Sequence, residues 1–194
     1  PELMRLSGFG KAVHVSSSST EHRCVVTAAG EVHRDRHVEL PPFAGFHDVD
    51  SIGACFEHTC ALLRSGEVSC AGHNYAGTLG DGSTADRAQP AIVEGLHDIV
   101  QLVSGSGHVC ALARGGELSC WGGNGHGQLG DGTTENRMRP TRAKIEGVTE
   151  IAAGSDHTCA RKKDDSVWCW GENRQGQLGD GTKKDSVTPV RVMR

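Results

Sequence analysis

Residues Cys110 to Thr133 read CALARGGELSCWGGNGHGQLGDGT. The block returns at Cys159 to Thr182 as CARKKDDSVWCWGENRQGQLGDGT, and more loosely at Cys60 to Ser83 as CALLRSGEVSCAGHNYAGTLGDGS. A block copied about every fifty residues marks a repeat architecture, whose small units bury their apolar faces only against their neighbours. Within one unit the pattern predicts four short strands. Ile99 to Ser104 is an apolar strand and His108 to Ala113 a second. Glu117 to Trp121 returns through the glycine turn Arg114-Gly115-Gly116, and Pro140 to Lys144 follows a long loop. Asp131-Gly132 is a further turn signal inside that loop. Four short antiparallel strands per unit, repeated around an axis, is the pattern of an all-β propeller. No stretch carries helical apolar periodicity of useful length.

Working outward, Pro42, Pro90, Pro140 and Pro189 set the phase. One repeat domain then divides into units at residues 1–41, 42–89, 90–139 and 140–194. The first unit is degenerate. Cys24 falls in register with Cys60, and Gly30-Glu31-Val32 with Gly66-Glu67-Val68, but no GQLGDGT block follows. The chain begins at Pro1 without an initiator Met, which fits a processed product or a segment of a longer array.

Composition narrows the function classes. Glycine is roughly twice its average usage and aromatic content is low, as short strands and tight turns require. Net charge is −4 with no Lys/Arg run, which argues against a nucleic-acid partner. No apolar run approaches the length of a membrane helix, and no signal peptide is visible.

Cys60/Cys70, Cys110/Cys120 and Cys159/Cys169 form three pairs at one spacing, each straddling a hairpin turn. Residues directly opposed on two such strands lie within disulfide reach, so three bridges are expected. Bridges imply an oxidising compartment: extracellular, periplasmic or cell surface. Cys24 has Arg34 at its partner position, and Cys55 sits where later units carry Gly105 and Gly154. A Cys24–Cys55 bridge would join these two leftovers.

The segments H-x-C-A-L, G-E-L-S-C-W-G-x-N and G-Q-L-G-D-G-T resemble the repeat of the regulator of chromosome condensation family. The cysteine-paired version resembles bacterial members of that superfamily. The resemblance covers Phe43 to Arg194 well and Pro1 to Pro42 weakly. It implies a β-propeller, usually of seven blades. About four repeats are present here, so a closed ring would need self-association or further repeats.

Other chemistries weigh less. His58, Cys60 and Cys70, with the repeats of that set at His108 and His157, offer zinc-type ligands. Paired CxxC spacing and a fourth ligand are missing, so no metal or cofactor is expected; the histidines should bond a backbone carbonyl instead. The GQLGDGT loop has one aspartate and no P-loop lysine, so turn-making outweighs calcium or phosphate binding. Asn124 and Asn173 are expected to fasten that loop to the main chain. Trp121 and Trp170 are expected to pack between units, and Ala71 in the second unit leaves a candidate groove. The serines 16–19 near His14 and His22 lack the makings of a catalytic triad, and no catalytic residue is assigned.

The reading that results is a non-catalytic protein-binding scaffold. The units differ most in the loops, and Asp86, Arg87, Asn136, Arg137, Lys183, Lys184 and Asp185 are the candidate contacts for a protein partner. The alternatives are a propeller lyase or hydrolase, which would need convergent acid and base groups near the axis, and an inhibitor of a secreted enzyme. Nucleotide exchange or chromatin binding, as in the founding family member, fits poorly with the acidic balance and the expected bridges.

Overall fold

The computed structural model describes residues 11–17, 23–34, 45–53 and 58–193. Strands β1 (Ala12–Ser17), β2 (Arg23–Thr27) and β3 (Val32–Arg34) form a three-stranded antiparallel sheet. The second sheet holds β4 (Val49–Ile52), β5 (His58–Leu63), β6 (Val68–Gly72) and β7 (Arg87–Ile92). The third holds β8 (Ile99–Ser104), β9 (His108–Ala113), β10 (Leu118–Gly122) and β11 (Arg137–Arg142). The fourth holds β12 (Val148–Ala153), β13 (His157–Lys162), β14 (Val167–Gly171) and β15 (Ser186–Arg191). Every sheet is an up-and-down meander in sequence order, and no helix occurs among the described residues. This is the blade pattern of a β-propeller.

The hairpins form where the glycines allow them. Ala113 N–H donates to the Glu117 carbonyl and Gly116 N–H to the Ala113 carbonyl, both at 2.9 Å. Gly116 sits at φ +89°, as glycine does without steric cost. Asp165 takes the same place in the fourth sheet at φ 60°, a conformation aspartate tolerates better than most residues. The turn fixes the register, so Cys60 faces Cys70, Cys110 faces Cys120 and Cys159 faces Cys169. Their Cα atoms are 4.2, 4.1 and 4.1 Å apart, and all three pairs are disulfides. Cys24 faces Arg34, as its spacing predicts. Cys24 is buried, but Cys55 lies outside the described residues, as do His22 and Ser18 to Ser19.

The fourth strand departs from expectation. It runs Arg137–Arg142, not Pro140 to Lys144, and the unit limits at 89/90 and 139/140 cut through β7 and β11. The reason lies at the sheet edge. Gly122 pairs with Arg137 and Cys120 with Thr141, so β11 bulges by two residues around Pro140. An edge strand can hold a proline because the missing N–H removes no ladder bond.

The core lies between sheets. Cys110, Leu112, Leu118 and Cys120 present one face of the third sheet to Val148, Ile151, Ala160 and Trp170 of the fourth. Val109, Ala111 and Trp121 present the other face to Leu62, Val68, Leu79 and Val93 of the second. Strand alternation thus supplies two apolar faces per sheet, one for each neighbour. Trp121 and Trp170 are fully buried, and their Nε1 groups donate to the Thr78 and Gln128 carbonyls of the preceding sheet, each at 2.9 Å. Gly130 is the seat of Trp170: a Cβ there would lie 2.6 Å from the indole nitrogen. Where a groove was expected, Ala71 is 2% exposed and packs with Val26, Phe46 and Val49.

The first strands of consecutive sheets lie side by side. Gln101 stitches β8 to β12 twice, donating to the Ile151 carbonyl at 2.8 Å and accepting from its N–H at 2.9 Å. The stack has two outer faces. Val15 is 60% exposed at the position where Ile52, Leu102 and Ile151 are nearly buried. At the other end Arg161, paired with Glu150 and Asp165, stands where Leu62 and Leu112 meet a following sheet.

Removing one indole tests this arrangement. Trp121→Ala should destabilise the fold by about 3–5 kcal/mol in chemical denaturation, the range for large aromatic truncations in cores. A midpoint near that of the unaltered protein would mean the sheets do not depend on this contact.

Candidate functional site

Each of the last three sheets sends out a long loop between its third and fourth strands. One asparagine organises each loop. Asn124 Oδ1 accepts from Leu129 N–H at 3.0 Å, and its Nδ2 donates to the Thr133 and Glu135 carbonyls at 3.1 and 3.0 Å. Asn74 does the same with Leu79, Ser83 and Ala85, and Asn173 with Leu178 and Thr182. All three asparagines are fully buried. The expectation for Asn124 and Asn173 therefore holds.

The aspartate of the GDG turn is the second fastening. Asp131 Oδ1 accepts from the Thr133 N–H at 2.9 Å and hydroxyl at 2.8 Å, and Oδ2 meets Arg137 at 2.7 Å. Burial works against its charged form, yet the Thr133 hydroxyl and the Arg137 guanidinium outweigh it and hold the carboxyl below its ordinary value. Its lone pairs are directed at the loop itself. No group of three or more metal-ligating side chains occurs among the described residues.

The candidate contacts divide by this geometry. Asp86, Asn136 and Asp185 each accept the N–H of the loop asparagine, at 2.9, 2.9 and 2.8 Å. Arg87 and Arg137 are tied to Asp81 and Asp131. Asp86 also meets His73 at 2.8 Å. Asp185 meets His126 of the preceding loop at 2.7 Å, which joins the loops of the third and fourth sheets into one surface. Lys183 and Lys184 are exposed. Sequence reading passed over Tyr75, which is 65% exposed at the tip of the second sheet's loop. Its signal was available: it is the lone tyrosine, at a place filled by Gly125 and Arg174 in the later copies.

The repeated histidines serve the stack. His108 Nε2 donates to the Thr158 hydroxyl at 2.9 Å, and that hydroxyl donates to the Gln128 carbonyl at 2.9 Å. The partner is a side chain of the next sheet, not the backbone carbonyl expected. Val109 occupies the Thr158 position one sheet earlier, so His58 Nε2 has no partner among the described residues. Burial pushes the His58 imidazole down to about 4. Burial, with repulsion from His58 and His157, pushes His108 down to about 3.

Two outcomes follow from these histidines. Val109→Thr should give His58 its missing acceptor and stabilise the fold by about 1 kcal/mol, the net worth of one such bond; a loss of stability would contradict the pairing. Acidification should weaken the fold as pH falls from 6.5, the ordinary imidazole value, towards 4 and 3. The unfolded chain takes up these protons first, so stability present at pH 7 is lost below it. By pH 5 the loss is about 2 kcal/mol per buried histidine, measurable as a urea midpoint while carboxylates are still ionised.

Comparison with known proteins accords with this geometry. The pattern of the regulator of chromosome condensation (RCC1) repeat matches residues 65–112, 115–161 and 164–194. A second form of that repeat matches residues 99–128 and 148–177. No curated protein matches the chain in sequence. Among solved structures, Prp20p of Saccharomyces cerevisiae, described with its binding to Gsp1p and histones, superposes with a TM-score of 0.77 at 20% identity, over 90% of this chain and 49% of that one. Yeast RCC1 (Prp20) bound to Kap60 gives 0.82 at 18% identity, over 97% and 50%. Human WBSCR16 gives 0.84 at 20% identity, over 98% and 55%. The chain thus spans about half the length of these structures, and at such identities the likeness is one of fold. With the repeat pattern matched through most of residues 65–194 and the blades in place, the chain belongs to the regulator of chromosome condensation repeat family.

Proposed function

We propose that the chain is a non-catalytic protein-binding scaffold, secreted or cell-surface, that meets its partner through the loops between third and fourth strands. One observation carries this reading. Asn74, Asn124 and Asn173 hold three loops by the same bonds, while the side chains those loops turn outward differ. A rigid frame with varied tips suits recognition, because the ordering cost of each loop is met inside it. Tyr75, Glu135, Arg174, Lys183 and Lys184 supply the most open tips, flanked by Asp86, Arg87, Asn136, Arg137 and Asp185. Aromatic and arginine side chains are favoured anchors at interfaces.

The fold relatives support the class of partner. Prp20p is described as binding Gsp1p and histones, and as bound to Kap60, all of them proteins. The bridges across each hairpin support an oxidising compartment. The net charge of −4 speaks for a protein over a nucleic acid. The outer faces of the stack would be covered by further repeats of the same kind or by a second copy.

The test uses immobilised protein exposed to the extracytoplasmic fraction of its source. A protein retained by the unaltered chain should be lost by a Tyr75→Ala, Lys183→Ala, Lys184→Ala variant of equal melting temperature. Equal retention by both would remove the loops from the interface. Thiol labelling under denaturing conditions should find no reactive cysteine until reductant is added; stoichiometric labelling without reductant would overturn the oxidised setting.

A further inference from the structure

The junction between the third and fourth sheets holds a cleft of about 510 Å³, within the size range of ligand sites. It opens beside the β13–β14 hairpin, at the end of the sheets opposite to the long loops. Arg142, Lys144 and Glu146 line one wall, and Lys162, Trp168 and Pro189 the other. Trp168 is half-buried; its Nε1 donates to the Ser166 hydroxyl at 2.9 Å, and the Lys162 ammonium lies 5.7 Å from its ring centroid.

The neighbouring junction shows what the frame alone requires. Trp168 stands opposite Ala160 as Ser119 stands opposite Ala111 and Ser69 opposite Ala61. Lys162 pairs with Val148 as Ala113 pairs with Ile99. Arg142 pairs with Ser119 as Ile92 pairs with Ser69. Lys144 follows Ala143 as Glu94 follows Val93, with Ala143 and Val93 making the same backbone bond to the strand beside them. At equivalent places, then, one junction carries Ser, Ala, Ile and Glu, and the other Trp, Lys, Arg and Lys. The junction of the second and third sheets buries its apolar core without the second set, so packing does not demand it.

Among the side chains lining the cleft, the three cations Arg142, Lys144 and Lys162 outnumber one carboxylate, Glu146, and Asp164 beside the cleft lies close enough to Lys162 to act on it electrostatically. Arg142 lies 3.5 Å from Glu117 in an exposed pair. Lys144 and Lys162 have no ion-pair partner among the described residues. This is a local excess of positive charge beside an indole, on a chain whose net charge is −4. We propose that the cleft binds an acidic peptide segment, its carboxylates meeting Lys144 and Lys162 and an apolar side chain lying against Trp168. Charge-assisted bonds would fix the segment, and the indole would supply the buried area. A nucleic acid suits it less, because the cations are confined to one cleft and form no stripe for a phosphate backbone to follow. The site stands apart from the loops, so either could bind without the other.

Tryptophan fluorescence reads the site directly, since Trp121 and Trp170 are fully buried and Trp168 alone is open to a ligand. A short peptide alternating glutamate with leucine should give a saturable change that rising salt removes. The lysine–leucine counterpart should give none. Lys144→Glu and Lys162→Ala, which copy the neighbouring junction, should each weaken binding roughly tenfold, the size of one charge-assisted bond. Trp168→Ser should abolish the signal. No saturable change, an equal response to the basic peptide, or unaltered affinity in both lysine variants would overturn the proposal. A stronger response to a single-stranded oligonucleotide would overturn it in favour of nucleic acid. Should a variant fail to fold, judged by circular dichroism, the salt titration of the unaltered protein decides.

Discussion

The carbonyl of Gln128 receives two hydrogen bonds from the next sheet, one from the Trp170 indole and one from the Thr158 hydroxyl. The rest of the fold depends on that kind of contact. A four-stranded meander has two faces and no interior, so its apolar side chains leave water only when a neighbour arrives. Trp121 and Trp170 are the largest buried side chains at the two later junctions, and an indole N–H must find an acceptor once buried. The loop of the preceding sheet offers that acceptor beside a glycine, where the ring can come close. Loop, glycine and tryptophan are parts of one joint, which explains why they recur together.

The disulfides act at a different level. Each closes a short hairpin already set by its turn, so each contributes less than the ~3 kcal/mol expected for a fifteen-residue loop. They fasten the second strand to the third within a sheet. The joint between sheets is left to burial and to the histidine line. That line is uneven: His108 has Thr158, whereas His58 meets Val109. His58 Nε2 and His108 Nδ1 are both buried without a partner among the described residues, and an unsatisfied buried nitrogen costs about 1–3 kcal/mol.

A self-similar chain separates frame from function. Residues that hold in all copies, such as the loop asparagines and GDG aspartates, turn inward and make the same bonds. Residues that depart from the copies have no such duty. Tyr75 departs at the loop end of the sheets, and Trp168 with its lysines departs at the hairpin end. The two departures lie at opposite ends of the sheets, and each would be an odd expense for a pure spacer.

The spacing of the cysteines about their glycine turns, the strand alternation and the period of the blocks determined the sheets, the bridges and the family. These are local or repeated features, written wherever the chain copies itself. Sequence also placed Trp121 and Trp170 between units, because they alternate with the paired cysteines. What it could not supply was which atoms meet across a junction. That Asp86, Asn136 and Asp185 cap the loop asparagine, that Pro140 lies inside an edge strand and that Ala71 is buried all depend on how sheets stack. The cleft at Trp168 is the clearest case. Its residues lie on four strands and a connection, apart in the chain, and only the packing of one sheet on the next brings their charges and the indole to one place.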